Sequence, residues 1–171
     1  MIPDWMTPAP HPFDTVLVAN RGEIAVRVLR AAKESGLRGV AVYSDPDTGS
    51  LHVENADQAV HLPGATLADT YLNGDAIIEA ARSTGAQAIH PGFGFLSERA
   101  DFANAVKAAG LIWIGPPADA IDTMGDKISA RRCMIESGVP VIPGEEISMG
   151  GDSDHLGVLA AAAARVGYPL L

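Results

Sequence analysis

The chain has 171 residues, of which 47% are hydrophobic and 19% are charged, and its formal net charge is −9 at pH 7. This composition is typical of a folded domain and excludes an intrinsically disordered chain. The negative charge argues against nucleic acid as a partner, because clustered Lys and Arg bind phosphate backbones. No apolar run is long enough to span a membrane, and the single cysteine, Cys133, indicates a reducing compartment, so we expect a cytoplasmic protein.

Residues 1–12 (MIPDWMTPAPHP) contain several prolines and no apolar stretch suited to a signal peptide, so we predict a flexible leader there. From Thr15 onward, apolar runs alternate with segments in which apolar residues recur three and four positions apart. The runs are TVLVA (15–19), GVAVYS (39–44), AQAIH (86–90), LIWIG (111–115), VPVIP (139–143) and YPLL (168–171). This alternation predicts an α/β fold with a doubly wound parallel sheet covered by helices on both faces.

The pattern predicts one complete domain and part of a second. We expect the first domain over residues 13–125, and a linker helix with the start of a second domain over residues 126–171. The chain ends shortly after its last apolar run begins. Because a buried parallel strand needs neighbouring strands to pair with, we interpret the second domain as truncated.

The loop after the first apolar run, ANRGEIA at 19–25, is the first candidate site. In open α/β sheets, binding residues gather in loops at the carboxyl ends of the strands. This loop has one glycine and lacks the G-x-G-x-x-G pattern of a dinucleotide site. Its polar residues Asn20 and Arg21 either bind an anion or tie neighbouring loops together.

The loop HPGFGFLSE at 90–98 is the second candidate site. Gly92 and Gly94 flank Phe93, an arrangement that allows a tight turn whose backbone approaches a ligand. His90 lacks partner ligands at metal-binding spacing, so we predict no metal site and expect His90 to order the loop. Ser97 is the expected N-cap of the next helix.

The segment MGDK at 124–127 is the third candidate site. Asp126 is suited to the N-cap of the helix that follows it. Lys127 lies beside the positive end of that helix, where the dipole disfavours a cation. It is therefore either a solvated surface residue or a group that assists the helix in binding a phosphate.

Five segments, taken together and in this order, resemble the biotin carboxylase family. The resemblance covers about 13–171 and is closest to the N-terminal part of the α subunits of bacterial acetyl-/propionyl-CoA carboxylases. The segments are VANRGEIAVRVLRAAKESG, AVYSDPD, HPGFGFLSE, IGPP and MGDKISARRCMIESGVPVIPG. The resemblance implies a Rossmann-like, pre-ATP-grasp domain followed by the truncated start of an ATP-grasp domain.

The resemblance also implies an activity. Members of the family are ligases that use ATP, Mg²⁺ and bicarbonate to carboxylate biotin on a carrier domain. They work with a carboxyltransferase subunit and form homodimers. The groups that hold Mg²⁺, bicarbonate and biotin are expected beyond Leu171, so this chain alone is expected to be inactive and to hold no cofactor tightly. The alternatives are the leading domain of another ATP-grasp ligase and a non-catalytic module that pairs with full-length subunits.

Individual residues take their roles from the same resemblance. Lys127 matches the family's ATP-contacting lysine, which favours a phosphate contact. Phe93 stands where many relatives carry Tyr, and its loop matches one on the active-site side of the first domain. Arg30 and Glu34 fall where relatives make part of their dimer contact, and no catalytic residue is expected within this chain. The active-site loops comprise Asn20, Arg21, His90, Gly92, Phe93 and Gly94.

Overall fold

A computed structural model describes residues 11–147 and 155–170, so the predicted leader at 1–12 lies almost entirely outside the described residues. The strands are β1 (Thr15–Val18), β2 (Arg38–Tyr43), β3 (Gln58–His61), β4 (Ala88–His90) and β5 (Ile112–Trp113). They form one parallel sheet in the order β3-β2-β1-β4-β5. The chain winds outward from β1 in both directions, and this confirms the doubly wound α/β fold.

Helices follow the strands and continue beyond the sheet. The α-helices are α1 (Gly22–Glu34), α2 (Leu51–Glu54), α3 (Gly74–Thr84), α4 (Ala100–Ala108), α5 (Ala118–Gly125), α6 (Lys127–Glu136) and α7 (His155–Val166). Among the described residues, Asp45–Asp47 and Phe95–Glu98 form short 3-10 helices. The loop from β1 to α1 and the loop from β4 to the 3-10 helix at Phe95–Glu98 are therefore short.

The sheet is buried on both faces. Every residue of β1 is buried, and alternate side chains point to opposite faces of the sheet. Leu17 belongs to the cluster that contains Ile77 of α3 and Phe102 of α4. Val18 belongs to the cluster that contains Leu29 of α1. This burial on both sides explains why the central strands read as continuous apolar runs in the sequence.

The chain divides into two compact units, Met1–Asp122 and Thr123–Leu171, slightly before the boundary that we expected at Gly125. The first unit contains the whole described sheet. In the second unit, the described helix α6 buries no side chain and the described helix α7 buries Ala162 alone. Ion pairs from Arg132 to Glu146 (3.0 Å) and from Arg165 to Glu145 (2.6 Å) connect these helices to the segment between them.

Two of the predicted strands are wrong. Residues 139–143 and 168–170 are not strands, and Leu171 lies outside the described residues. Pro140 and Pro169 interrupt these runs, and proline lacks the N–H group that a sheet ladder requires. The apolar pattern also fails to predict β3, because polar Gln58 and His61 stand at its two ends.

The expected N-cap at Ser97 is also wrong. Ser97 lies inside the 3-10 helix, and extended Arg99 (φ −116°, ψ 103°) separates that helix from α4. The Arg99 side chain instead makes an ion pair with Asp101 at 2.7 Å. A single polar residue near a helix start is thus insufficient to locate the start when a short 3-10 helix precedes it.

The histidine of α2 makes the first unit sensitive to acid. His52 is completely buried, and its Nε2 donates a hydrogen bond to the carbonyl oxygen of Val42 at 3.2 Å. Its Nδ1 has no partner among the described residues, so protonation would create a buried N–H without an acceptor. Burial is the main cause that lowers the pKa of His52, with a smaller contribution from Arg21.

We predict that the free energy of unfolding decreases as the pH falls below about 6.5, the ordinary pKa of histidine. The unfolded chain then binds a proton that the folded state resists, so stability is complete above this pH and is lost below it. Burial also lowers the pKa of His90, which adds to the effect. Urea unfolding at about pH 7.5 and about pH 5.5 measures the loss.

The variant His52→Gln should lose less stability on acidification than the unmodified chain. Its carboxamide retains a donor for the Val42 carbonyl and does not titrate in this range. The matched control is His11→Gln, because His11 is exposed and lies outside the sheet. If both variants respond to acid as strongly as the unmodified chain, His52 is not the acid-sensitive group.

Candidate functional site

The carboxyl ends of β1 and β4 bring the first two candidate loops together. Val18 pairs with His90 in the parallel register, and the next backbone N–H, that of Ala19, donates to the His90 carbonyl at 2.8 Å. The ANRGEIA and HPGFGFLSE loops therefore leave the sheet side by side. This edge, where the strand order reverses, is the usual location of ligand sites in such sheets.

Asn20 ties these two loops together. Its side chain is buried, and Nδ2 donates to the carbonyl oxygens of Pro91 at 2.9 Å and of Phe93 at 3.0 Å. Its Oδ1 accepts a hydrogen bond from the backbone N–H of Arg21 at 3.0 Å. Both polar atoms of the amide group are thus hydrogen-bonded to the protein. In the structure, Asn20 therefore ties the two loops together.

Gly92 allows the two loops to approach so closely. Its φ is +72°, and a Cβ atom at this position would lie 2.6 Å from Nδ2 of Asn20. An alanine here would therefore combine a disfavoured left-handed backbone with a clash against a buried amide. The sequence pattern predicts a tight turn at this position, but the contact with Asn20 becomes visible only in the fold.

His90 orders the same turn from inside. Its Nδ1 accepts a hydrogen bond from the backbone N–H of Gly92 at 2.9 Å. Burial lowers the pKa of His90, which favours the neutral ring that can act as an acceptor. Over the part of the chain that the structure describes, no group of three or more His, Cys, Asp or Glu residues is arranged to hold a metal ion.

Phe93 projects from this turn into solvent. Its side chain is 76% exposed, although the carbonyl oxygen of the same residue is bound by Asn20. An open apolar groove of about 440 Å³ lies beside it, lined in part by Ile24, Val28 and Ile114. The loop therefore presents an exposed apolar side chain on a backbone that is hydrogen-bonded to Asn20.

Arg21 is held by residues outside the three candidate loops. Its Nη1 lies 3.2 Å from Oδ2 of Asp47, and its guanidinium carbon lies 5.6 Å from the centre of the Tyr71 ring. The Tyr71 hydroxyl donates to the same oxygen of Asp47 at 2.6 Å, and the Ser44 hydroxyl reaches it at 3.2 Å. Ser44 and Asp47 lie in the segment AVYSDPD, whereas Tyr71 has no local sequence signal.

Burial and hydrogen bonding set the charge states in this network. Burial opposes ionisation of Asp47, but hydrogen bonds from Tyr71 and Arg21 outweigh it and lower the pKa of this carboxyl group. Burial, together with the hydrogen bond to Asp47, raises the pKa of Tyr71 to about 12. At neutral pH, Tyr71 is therefore a donor and Asp47 is an ionised acceptor.

Lys127 belongs to the second unit and opens α6. Asp126 is the N-cap of this helix as predicted, since its Oδ1 accepts a hydrogen bond from the backbone N–H of Ser129 at 2.7 Å. Lys127 is exposed and has no hydrogen-bond or ion-pair partner among the described residues. Its charge is thus available to an external anion near the helix N-terminus.

Arg30 and Glu34, the predicted dimer contacts, lie on the exposed side of α1. Their side chains approach each other at 4.0 Å, a spacing typical of an i, i+4 pair. Exposed pairs of this kind contribute little to the stability of a single chain.

Across residues 11–147 and 155–170, each helix is too short or too polar to traverse a bilayer.

We predict that Asn20→Ala lowers the free energy of unfolding by about 2 kcal/mol, because it leaves two carbonyl oxygens without their donor. Urea unfolding of the purified chain measures the change. The control is Asn104→Ala on α4, which removes an exposed side chain and should change stability by no more than about 0.5 kcal/mol. Equal effects of the two substitutions would show that the tie between the loops contributes nothing to stability.

Comparisons with known proteins identify the family of the chain. The family model for the biotin carboxylase N-terminal domain matches residues 12–121. The chain is 53% identical over 158 residues to the mitochondrial methylcrotonoyl-CoA carboxylase subunit alpha of Oryza sativa subsp. japonica, covering 92% of this chain and 21% of the relative. It is 49% identical over 159 residues to the biotin carboxylase of Haemophilus influenzae, covering 93% of this chain and 35% of the relative.

The solved structures give the same result. The biotin carboxylase domain of the 2-oxoglutarate carboxylase of Hydrogenobacter thermophilus, described as a dimer in complex with MgADP, ADP and bicarbonate, matches with a TM-score of 0.78. The match has 43% identity and covers 92% of this chain and 34% of that one. The chain therefore belongs to the biotin carboxylase N-terminal domain family, and it spans only the N-terminal part of the carboxylases that it resembles.

Proposed function

We propose that the chain is the N-terminal portion of the biotin carboxylase component of an acyl-CoA carboxylase. In this proposal the complete protein is a cytoplasmic ligase that uses ATP and bicarbonate to carboxylate biotin on a carrier domain. The observation that carries the proposal is the pair of joined loops after β1 and β4. There the family motifs place Asn20, His90 and Gly92 in one hydrogen-bonded assembly at the ligand-binding edge of the sheet.

We assign the ATP contribution of this chain to Lys127. Its ammonium group is exposed, is unpaired within the described residues and lies in the first turn of α6. Asp126 caps the helix and so fixes the point from which Lys127 extends. An ammonium group and a helix N-terminus together are suited to bind phosphate oxygens. This favours a phosphate contact for Lys127 over the role of a solvated surface residue.

We assign Mg²⁺, bicarbonate and biotin to residues outside this chain. Mg²⁺ in nucleotide sites is usually bound by one or two carboxylates together with substrate phosphates and water. We propose that the second unit begins an ATP-grasp domain and that the remainder of that domain supplies these ligands. The 171-residue chain alone should therefore not turn over ATP.

We propose that the complete protein forms a homodimer to which Arg30 and Glu34 contribute. Both side chains are exposed on α1, and the distance between them is long for an ion pair. Each can therefore exchange its weak intrachain partner for an oppositely charged group on a second subunit at little cost. A carboxyltransferase subunit is the further partner that this function requires.

There are two candidates for the acyl-CoA substrate of the complete protein. An acetyl- or propionyl-CoA carboxylase is the function that the motifs favour. The relative from Oryza sativa subsp. japonica is a methylcrotonoyl-CoA carboxylase subunit, so a branched acyl-CoA is the second candidate. Carboxylation assays of the complete protein and its carboxyltransferase with acetyl-CoA, propionyl-CoA and methylcrotonoyl-CoA distinguish these candidates.

One experiment tests the proposed function directly. The coding sequence beyond Leu171 is determined, and the complete protein is assayed for ATP cleavage that depends on both bicarbonate and free biotin. We expect such cleavage from the complete protein and none from the 171-residue chain. Absence of bicarbonate-dependent cleavage in a folded complete protein would refute the proposal and would favour a non-catalytic pairing module.

We predict that Lys127→Gln in the complete protein weakens ATP binding about ten- to hundredfold, since a charge-assisted contact contributes about 1.5–3 kcal/mol. Lys127→Arg should restore only part of the affinity, because the planar guanidinium presents its donors differently. Isothermal titration calorimetry with ATP measures both changes.

The matched control for this prediction is Lys107→Gln. Lys107 is an exposed residue of α4 that lies outside all three candidate loops. Its substitution should leave ATP affinity and melting temperature unchanged. Equal ATP affinities of Lys127→Gln and Lys107→Gln would assign Lys127 to the solvated surface.

A further inference from the structure

One buried phenol ring connects three loops at the carboxyl edge of the sheet. The ring of Tyr71 is stacked on that of Phe95, with centroids 5.8 Å apart and planes inclined by 6°. The same ring lies beneath the guanidinium of Arg21 at 5.6 Å. Arg21 follows β1 and Phe95 follows β4, so Tyr71 links the two candidate loops at a second point, separate from the tie that Asn20 makes.

The third loop is joined through the Tyr71 hydroxyl. This hydroxyl donates to Oδ2 of Asp47 at 2.6 Å and accepts from the backbone N–H of Ser44 at 3.1 Å. Ser44 and Asp47 belong to the turn after β2. Arg21 reaches the same carboxylate oxygen at 3.2 Å. Oδ2 of Asp47 thus accepts hydrogen bonds from Arg21 after β1, from the Ser44 hydroxyl after β2 and from Tyr71 before α3.

The backbone of Phe95 explains why the stacking contact matters. Its φ is +51°, the only positive value for a residue other than glycine in the part of the chain that the structure describes. Such a conformation is unfavourable for a residue with a side chain and persists where the surroundings enforce it. The stack on Tyr71 is a contact that holds the Phe95 ring, and hence the turn that presents Phe93, in this conformation.

We infer that Tyr71 and Asp47 are positioning residues of the proposed carboxylation site. They hold Arg21 and the turn from Gly92 to Phe95 in a single arrangement, and they act on the reaction through those groups without touching substrate themselves. This inference rests on the proposed function. It assigns a role in that reaction to two residues outside the three candidate loops.

The positioning role predicts a specific kinetic signature. Groups held near a reacting centre affect kcat when they are displaced, and a displacement of about 1 Å can lower a rate about a hundredfold. The described contacts of this network do not include Lys127, the residue to which we assign ATP binding. A loosened network should therefore lower kcat about ten- to hundredfold and leave the KM for ATP within about twofold of its original value.

Two conservative variants of the complete protein test the inference. Tyr71→Phe keeps the ring that contacts Phe95 and Arg21 but removes the donor to Asp47. Asp47→Asn keeps the size of the side chain but removes its charge. We expect Asp47→Asn to lower kcat for bicarbonate-dependent ATP cleavage most, and Tyr71→Phe to lower it less.

The control is Tyr43→Phe, because Tyr43 ends β2 nearby and its hydroxyl makes no hydrogen bond among the described residues. A second measurement uses the 171-residue chain, in which Asp47→Asn should shift the backbone amide resonances of Gly92, Gly94 and Phe95. Those of α4 should not move.

The possible outcomes separate the two proposals. An inactive complete protein before any substitution refutes the proposed function. An active protein whose kcat is unchanged in both variants, or falls equally in Tyr43→Phe, overturns the positioning role alone. A fall in melting temperature with unchanged kcat and unmoved loop resonances also overturns it, because it assigns the network to stability only.

Discussion

The pairing of β1 with β4 sets the positions of the first two candidate loops at the carboxyl edge of the first unit. These two strands are distant in sequence and adjacent in the sheet, and the hydrogen bond from Ala19 to His90 continues their ladder into the loops. The side chain of Asn20 then occupies the space that a Cβ atom on Gly92 would fill. One backbone register and one missing methyl group together determine how closely the two loops approach.

The charge states at this edge follow from burial and hydrogen bonding together. Tyr71 stays protonated, Asp47 stays ionised, and burial disfavours the charged form of His52 and His90. The states of Tyr71 and His90 are the ones that their hydrogen bonds require, because a phenol must donate to Asp47 and a neutral ring must accept from Gly92. Arg21, whose side chain is partly exposed, forms an ion pair with Asp47 at this edge.

Local patterns in the sequence were sufficient for most of the fold. Apolar runs identified the central strands because both faces of the sheet are buried. The same reasoning failed where a proline stands within an apolar run, as at Pro140, and where an edge strand is only partly buried, as in β3. A run of apolar residues reports burial, and it reports a strand only when the backbone can donate hydrogen bonds.

The candidate site was predictable to a similar extent. Asn20, His90 and Gly92 lie in contiguous motifs, so their importance is visible in the sequence. Tyr71 is 24 residues from Asp47 and belongs to no periodic pattern, and only the tertiary fold brings the two side chains together. Contacts between loops of different strands depend on the strand order, which local sequence does not encode.

The tie between the loops uses main-chain oxygens of the HPGFGF turn and none of its side chains. The architecture of the turn is therefore independent of the side chain at position 93, which projects into solvent. Mutation can exchange Phe93 for another aromatic residue, or for a polar one, without altering the hydrogen bonds beneath it. A lineage of such proteins can thus vary the exposed surface of the turn while the hydrogen bonds that support it are inherited unchanged.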